Sequence, residues 1–188
     1  MVYPPTPLSS TIPTAFPKGA LVEVSGVSGA GKTEVILRLL AENAAPQSGI
    51  APRIAWIEEA STIYPCAFPQ FGIALDRVLF VDCENAKDAL WAAHQVIRSQ
   101  VFGAVILARS GSFRISETDL RRLQLVAEKN QTAVFLISER PMREAWPVSL
   151  QLEVSRCGDS QNPAIRVLRS RGGGSEWLPS LKNGSRAS

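Results

Sequence analysis

An apolar, strand-like run, Leu21-Val22-Glu23-Val24, leads through Ser25 into Gly26-Val27-Ser28-Gly29-Ala30-Gly31-Lys32-Thr33, which spells G-x-x-x-x-G-K-[ST]. A helical stretch over residues 34–42 follows. The glycines let successive backbone N–H groups turn inward onto phosphate oxygens, Lys32 has the reach for β and γ phosphates, and the Thr33 hydroxyl is suited to a magnesium ion. The helix adds the positive end of its dipole at the same place. An eight-residue pattern matches many chains by chance. Strand, loop and helix in series are far more restrictive, and they predict a P-loop α/β fold with a nucleotide site for ATP or ADP.

The rest of the chain supplies the partners such a fold needs. Residues 53–57, 78–81, 103–108 and 132–137 read as further apolar strands, with Glu58 and Glu59 following the first and Asp82 the second. Between 57 and 78, Pro65, Pro69 and Gly72 leave room for at most a short turn around 71–75. Asn85 is placed to cap a helix in which Ala86, Ala89, Leu90, Ala93, Val96 and Ile97 fall on one face. Ser116 opens a second helix through Lys129, with Leu120, Leu123 and Ala127 inward. Strands without polar alternation, separated by helices, predict a doubly wound, mainly parallel sheet covered on both faces. From Leu150 the pattern changes. Leu150-Gln151-Leu152-Glu153-Val154 alternates, a turn occupies 158–163, and 164–169 is again strand-like, which predicts an antiparallel hairpin extending the sheet. The expected organisation is a flexible Pro-rich arm over 1–15, one core domain over 16–178 and a flexible polar tail over 179–188.

Bulk properties narrow the function classes. The chain has 188 residues, 45% hydrophobic and 20% charged, the balance of a globular domain. Its apolar runs are strand-length, short of the roughly 20 residues of a membrane span, and Met1 to Pro7 lacks the basic start and apolar core of a secretory signal. Cys66, Cys83 and Cys157 are odd in number and widely spaced, against a disulfide framework or a zinc cluster, so a reducing cytoplasm is expected. His94, the sole histidine, falls mid-helix and is given no chemistry. Net charge is +3, with six basic residues against two acidic ones from Arg156 onward. That excess fits contact with DNA or an acidic partner, and equally an ordinary solvated face.

A P-loop hydrolase also needs a carboxylate at the end of the neighbouring strand for the magnesium shell, and a Glu or Gln to orient water. Glu58, Glu59 and Asp82 are the strand-end candidates. Read alone, Val78-Leu79-Phe80-Val81-Asp82 resembles a Walker B strand, whereas the fourth strand ends in Ala108-Arg109-Ser110 without an acid.

The segment from Leu21 to Thr33, Ala55-Trp56-Ile57-Glu58 with Pro65, and Gly72-Ile73-Ala74-Leu75-Asp76-Arg77-Val78-Leu79-Phe80 together resemble the RecA recombinase core in order and spacing. Asp88-Ala89-Leu90-Trp91-Ala92-Ala93, Gly103-Ala104-Val105-Ile106-Leu107, the leucine-arginine helix Leu120-Arg121-Arg122-Leu123-Gln124-Leu125-Val126-Ala127-Glu128, and Arg169-Ser170-Arg171-Gly172-Gly173 are similar to the ImuA group. Members of that group are RecA/SulA-like proteins that accompany ImuB and an error-prone DnaE-type polymerase in SOS mutagenesis. On the RecA pattern, Arg109 stands at the Walker B aspartate and Ala60 at the catalytic glutamate, with Glu59 one place early. Tyr64 falls near the adenine-stacking place, as a platform or as packing. Glu139 takes the place of a γ-phosphate-sensing glutamine. The DNA-binding loops look cut away, to 110–114 and 140–147, and no self-assembling helical domain is expected ahead of the core.

The resemblance implies an accessory protein of translesion synthesis that binds ATP with slow or absent hydrolysis. RecA, ImuB and the DnaE-type polymerase are the implied partners, with no membrane. Arg121, Arg122, Arg166, Arg169 and Arg171 are the candidate partner or DNA contacts, against a plain solvated face. Two other readings stay open. One is an active ATPase or small kinase in which Glu59 is catalytic or Asp82 or Glu58 joins Thr33 on magnesium. The other is a SulA-like inhibitor of cell division.

Overall fold

The computed structural model describes residues 18–42, 53–109, 115–143, 146–156 and 162–171. The arm over 1–15, the tail over 179–188, residues 110–114, Cys157 and the glycine run 172–174 lie outside the described residues.

In chain order the elements are β1 (Leu21–Ser25), α1 (Lys32–Glu42), β2 (Arg53–Glu58), the short α2 (Ala67–Gln70), a 3-10 turn at Leu75–Arg77, β3 (Val78–Asp82), α3 (Ala86–Arg98), β4 (Phe102–Ala108), α4 (Glu117–Asn130), β5 (Ala133–Ser138), β6 (Leu150–Ser155) and β7 (Ala164–Ser170). The strands form one sheet in the order β3-β2-β4-β5-β1-β6-β7. All pairings are parallel except β6 with β7. The α/β architecture and its antiparallel hairpin are those the sequence predicts.

Strand periodicity sends alternate residues to opposite faces. Val22, Val24, Ala104, Ile106, Ala133 and Phe135 pack on one side with α1, which buries Val35, Ile36, Leu37, Leu39 and Leu40 there. Leu21, Val105, Leu107, Val134 and Leu136 pack on the other, with Ala89, Ala93 and Ile97 of α3 and Leu120, Leu123 and Ala127 of α4. Both helix ends are capped as the sequence suggests. The Asn85 side chain accepts from the backbone N–H groups of Lys87 and Asp88, and Ser116 accepts from that of Asp119. On the α1 face, Trp56 meets Phe68 edge-on at 5.8 Å, and Phe68 meets Phe80 at 5.2 Å. Such pairs add about 0.5–1.5 kcal/mol each beyond burial.

Two local expectations change. The helical turn after β2 comes earlier than 71–75, because Pro69 sits in the first turn of α2, where its missing N–H costs no bond. Glu58 is the last residue of β2 rather than a residue beyond it, and it is buried.

Candidate functional site

Parallel strands end on one edge of the sheet, where an α/β domain makes its ligand crevice. Here β1 ends in the P-loop, β2 in Glu58 and then Glu59, β4 in Ala108 and then Arg109, β5 in Ser138 and then Glu139, and β6 is followed by Arg156. Together they enclose a cavity of about 560 Å³ whose wall includes residues 28–34, Trp56, Glu58, Glu59, Arg109, Glu139 and Arg156. A cleft of that volume holds a small-molecule cofactor.

The cradle is built from backbone conformations that glycine permits. Gly29 and Gly31 have φ of +79° and +95°, and α1 begins at Lys32 with its N–H groups facing the cavity end of the loop. The Lys32 ammonium folds back to donate to the carbonyl oxygens of Gly26 and, at 3.1 Å, Val27. Burial pushes its pKa below the ordinary lysine value, and the nearby Glu139 carboxylate partly offsets this. The indole N–H of Trp56, on the cavity wall, is buried without a hydrogen-bond partner. An anion cradle whose lysine is held only by backbone carbonyls fits a phosphate-bearing ligand.

The place that the RecA pattern gives to the metal carboxylate is taken by Arg109, while Glu58, Glu59 and Glu139 also line the cavity. Strands β5 and β6 flank β1, and β4 lies one strand beyond β5, bringing Arg109 into the cavity with Thr33. Its backbone N–H donates to the Ile137 carbonyl at 3.1 Å, tying the two strand ends together. Burial lowers the Arg109 pKa, while Glu23 and Glu59 oppose that shift. A guanidinium keeps its charge under such conditions and coordinates no cation. Glu58 lines the cavity, yet its carboxylate clasps the next turn, accepting from the Thr62 hydroxyl at 2.8 Å and the Ile63 N–H at 3.1 Å. Among the described residues, no group of three or more His, Cys, Asp and Glu could hold a metal.

Asp82, the other strand-end candidate for magnesium, is not among the residues lining the cavity. Its strand, β3, is the sheet edge farthest from β1 on that side, its side chain is exposed, and it forms no part of the cavity wall. Its partner in the sheet register is Glu58, at the end of β2. Glu59 does line the cavity, as does Ala60. Tyr64 lies just past the wall residues Thr62 and Ile63 and is 66% exposed, with no place in the wall itself.

The five candidate contact arginines lie away from the cavity wall. Arg121 is half-buried rather than exposed. Its guanidinium lies 5.0 Å from the ring centre of Trp146 and donates to Gln124 at 2.8 Å. Arg171 donates to the Trp146 carbonyl, so Trp146 joins α4 to the end of β7. Arg122 pairs loosely with Asp119 at 3.7 Å and Arg166 with Glu153 at 2.7 Å, while Arg169 is half-buried opposite Gln151.

Sequence reasoning gave no site role to Glu23, Glu34 or Arg156. Glu23 is fully buried on β1. Its carboxylate accepts from the Ser138 hydroxyl (2.8 Å), the Gln151 amide (2.7 Å) and the Met142 N–H (3.1 Å), fixing β1, β5, β6 and the segment after β5 relative to one another. A charge interrupting the apolar β1 run was the available signal. For Arg156 it was a basic residue directly after a strand.

The fold and the cradle define a P-loop α/β domain. No family model matches the chain. It is similar to RecA of Picosynechococcus sp., 29% identical over 92 residues, which cover 49% of this chain and 25% of that protein. RecA of Leptospira meyeri is 24% identical over 147 residues (68% and 37%), and RecA of Listeria monocytogenes serotype 4a is 24% identical over 143 (66% and 40%). The chain thus spans a quarter to two fifths of the length of these relatives. Sheet, loop and distant similarity together make it RecA-like.

Proposed function

We infer that this chain is an ATP-binding accessory module of the ImuA type, which hydrolyses slowly or not at all and acts in SOS-induced translesion synthesis through contacts with RecA, ImuB and the error-prone polymerase. The observation that carries the binding-without-turnover reading is Arg109 in one cavity with Thr33, at the place where the RecA pattern has its metal carboxylate. Lys32 and the glycine cradle support nucleotide binding, with magnesium playing a minor part. The leucine-arginine helix and the similarity to RecA support the accessory role, with Arg121, Arg122, Arg166, Arg169 and Arg171 as the surface to alter first.

One observation favours turnover instead, namely Glu59 on the same cavity wall. Steady-state phosphate release separates the two readings. Binding of ATP with release no faster than that of Lys32→Ala supports the module. Release abolished by both Lys32→Ala and Glu59→Gln supports an ATPase. Co-purification with purified ImuB or RecA, weakened by Arg121→Ala with Arg171→Ala, supports the partner assignment. Binding to the division tubulin alone would move the reading to a SulA-like inhibitor.

A further inference from the structure

Glu34, in the first turn of α1, holds two guanidinium groups at once. Arg38 approaches it at 2.7 Å and Arg156 at 2.8 Å. The two arginines differ in kind. Arg38 is the i+4 neighbour on the same helix and its side chain is only 11% exposed. Arg156 arrives from beyond the C-terminal end of β6, is 40% exposed and stands on the wall of the phosphate cavity.

The hairpin presses directly on the cradle. A Cβ on Gly26 would stand 2.3 Å from the Val154 carbonyl oxygen, and a Cβ on Gly31 would stand 3.1 Å from Nη2 of Arg156 and 3.1 Å from Pro163. The guanidinium of Arg156 therefore lies against the loop backbone whose N–H groups face the α and β phosphates in a P-loop. A carboxylate beside this cradle repels phosphate on its own. Masked by two arginines, it becomes part of a cluster with one net positive charge.

The geometry points to Arg156 as a phosphate-binding residue, paired with Glu34 until a nucleoside diphosphate or triphosphate arrives and then shared with its α or β phosphate. This rests on the nucleotide reading of the cradle. Because Arg156 sits at Gly31, on the loop backbone that faces the α and β phosphates, it contributes to ADP and ATP alike. Arginine is suited to the exchange, since its planar fork meets carboxylate and phosphate oxygens in the same bidentate manner.

The test is calorimetric affinity for ADP, ATP and inorganic pyrophosphate in the full chain, with a ligand-free thermal melt as a control on folding. Arg156→Ala is expected to weaken ADP and ATP by the same factor, roughly tenfold, and Arg156→Lys to recover part of it. Glu34→Gln breaks the same ion pair yet is expected to tighten binding several-fold, because it removes a carboxylate from beside the cradle and leaves Arg156 to the phosphate. Unchanged ADP affinity in Arg156→Ala overturns the proposal, as does an equal loss of affinity in Glu34→Gln, or a loss confined to ATP. Wild type that binds no nucleotide removes the cradle reading and this proposal together. Wild type that binds beside an equally competent Arg156→Ala removes this proposal alone.

Discussion

Lys32 is half-buried and Glu23 fully buried, and each has a measurable consequence. Lys32 is partly desolvated, so its pKa lies below the ordinary lysine value of 10.5. A bound phosphate favours the charged form and raises that pKa. Nucleotide affinity is therefore full below the depressed pKa of the free protein and declines as pH rises through it, with proton uptake on binding in that window. Affinity titrated against pH checks this, and Lys32→Arg should flatten the alkaline limb. Glu23 faces donors from three directions, so Glu23→Gln turns one acceptor oxygen into a donor among donors. About 1–3 kcal/mol of stability should be lost, read from the denaturant midpoint. An unmoved midpoint would show that the network contributes little.

Helix entry points were the most legible elements, because a cap is local chemistry. Asn85 satisfies two backbone donors of α3 with one oxygen, and Asn85→Ala should cost about 1 kcal/mol, measured as a drop in melting temperature, while Asn85→Gly costs a few tenths. The inward faces of α3 and α4 were readable for the same reason, since a 3.6-residue period needs no partner to be seen. The turn between β2 and β3 was less readable. Pro69 looked like a break but serves in the first turn of α2, a distinction that depends on where the helix starts. Glu58 likewise looked free for a metal. Its hydrogen bonds to Thr62 and Ile63 tie it to the turn as well.

Across the whole molecule, apolar runs separated by helices were enough to predict a covered parallel sheet and its terminal hairpin. Strand order was not, because it is decided by contacts between segments far apart in the chain. That order determines which strand ends face Thr33. It brings Arg109 and Glu59 into the cavity wall, leaves the Asp82 side chain outside at the edge strand, and presses the β6–β7 hairpin on the cradle. Arg156 escaped sequence reasoning because its value lies in that approach and not in any pattern around it.

The central claim is that a fixed guanidinium has replaced the metal carboxylate in an otherwise complete phosphate cradle. Its most direct test is ATP affinity with magnesium at about 5 mM, roughly a fiftyfold excess over nucleotide at about 0.1 mM, and again with the metal chelated, for wild type beside Lys32→Ala. The account predicts that wild type binds ATP, that Lys32→Ala does not, and that magnesium changes the wild-type affinity by less than roughly threefold, about 0.7 kcal/mol. A gain of a hundredfold or more on adding magnesium would contradict it.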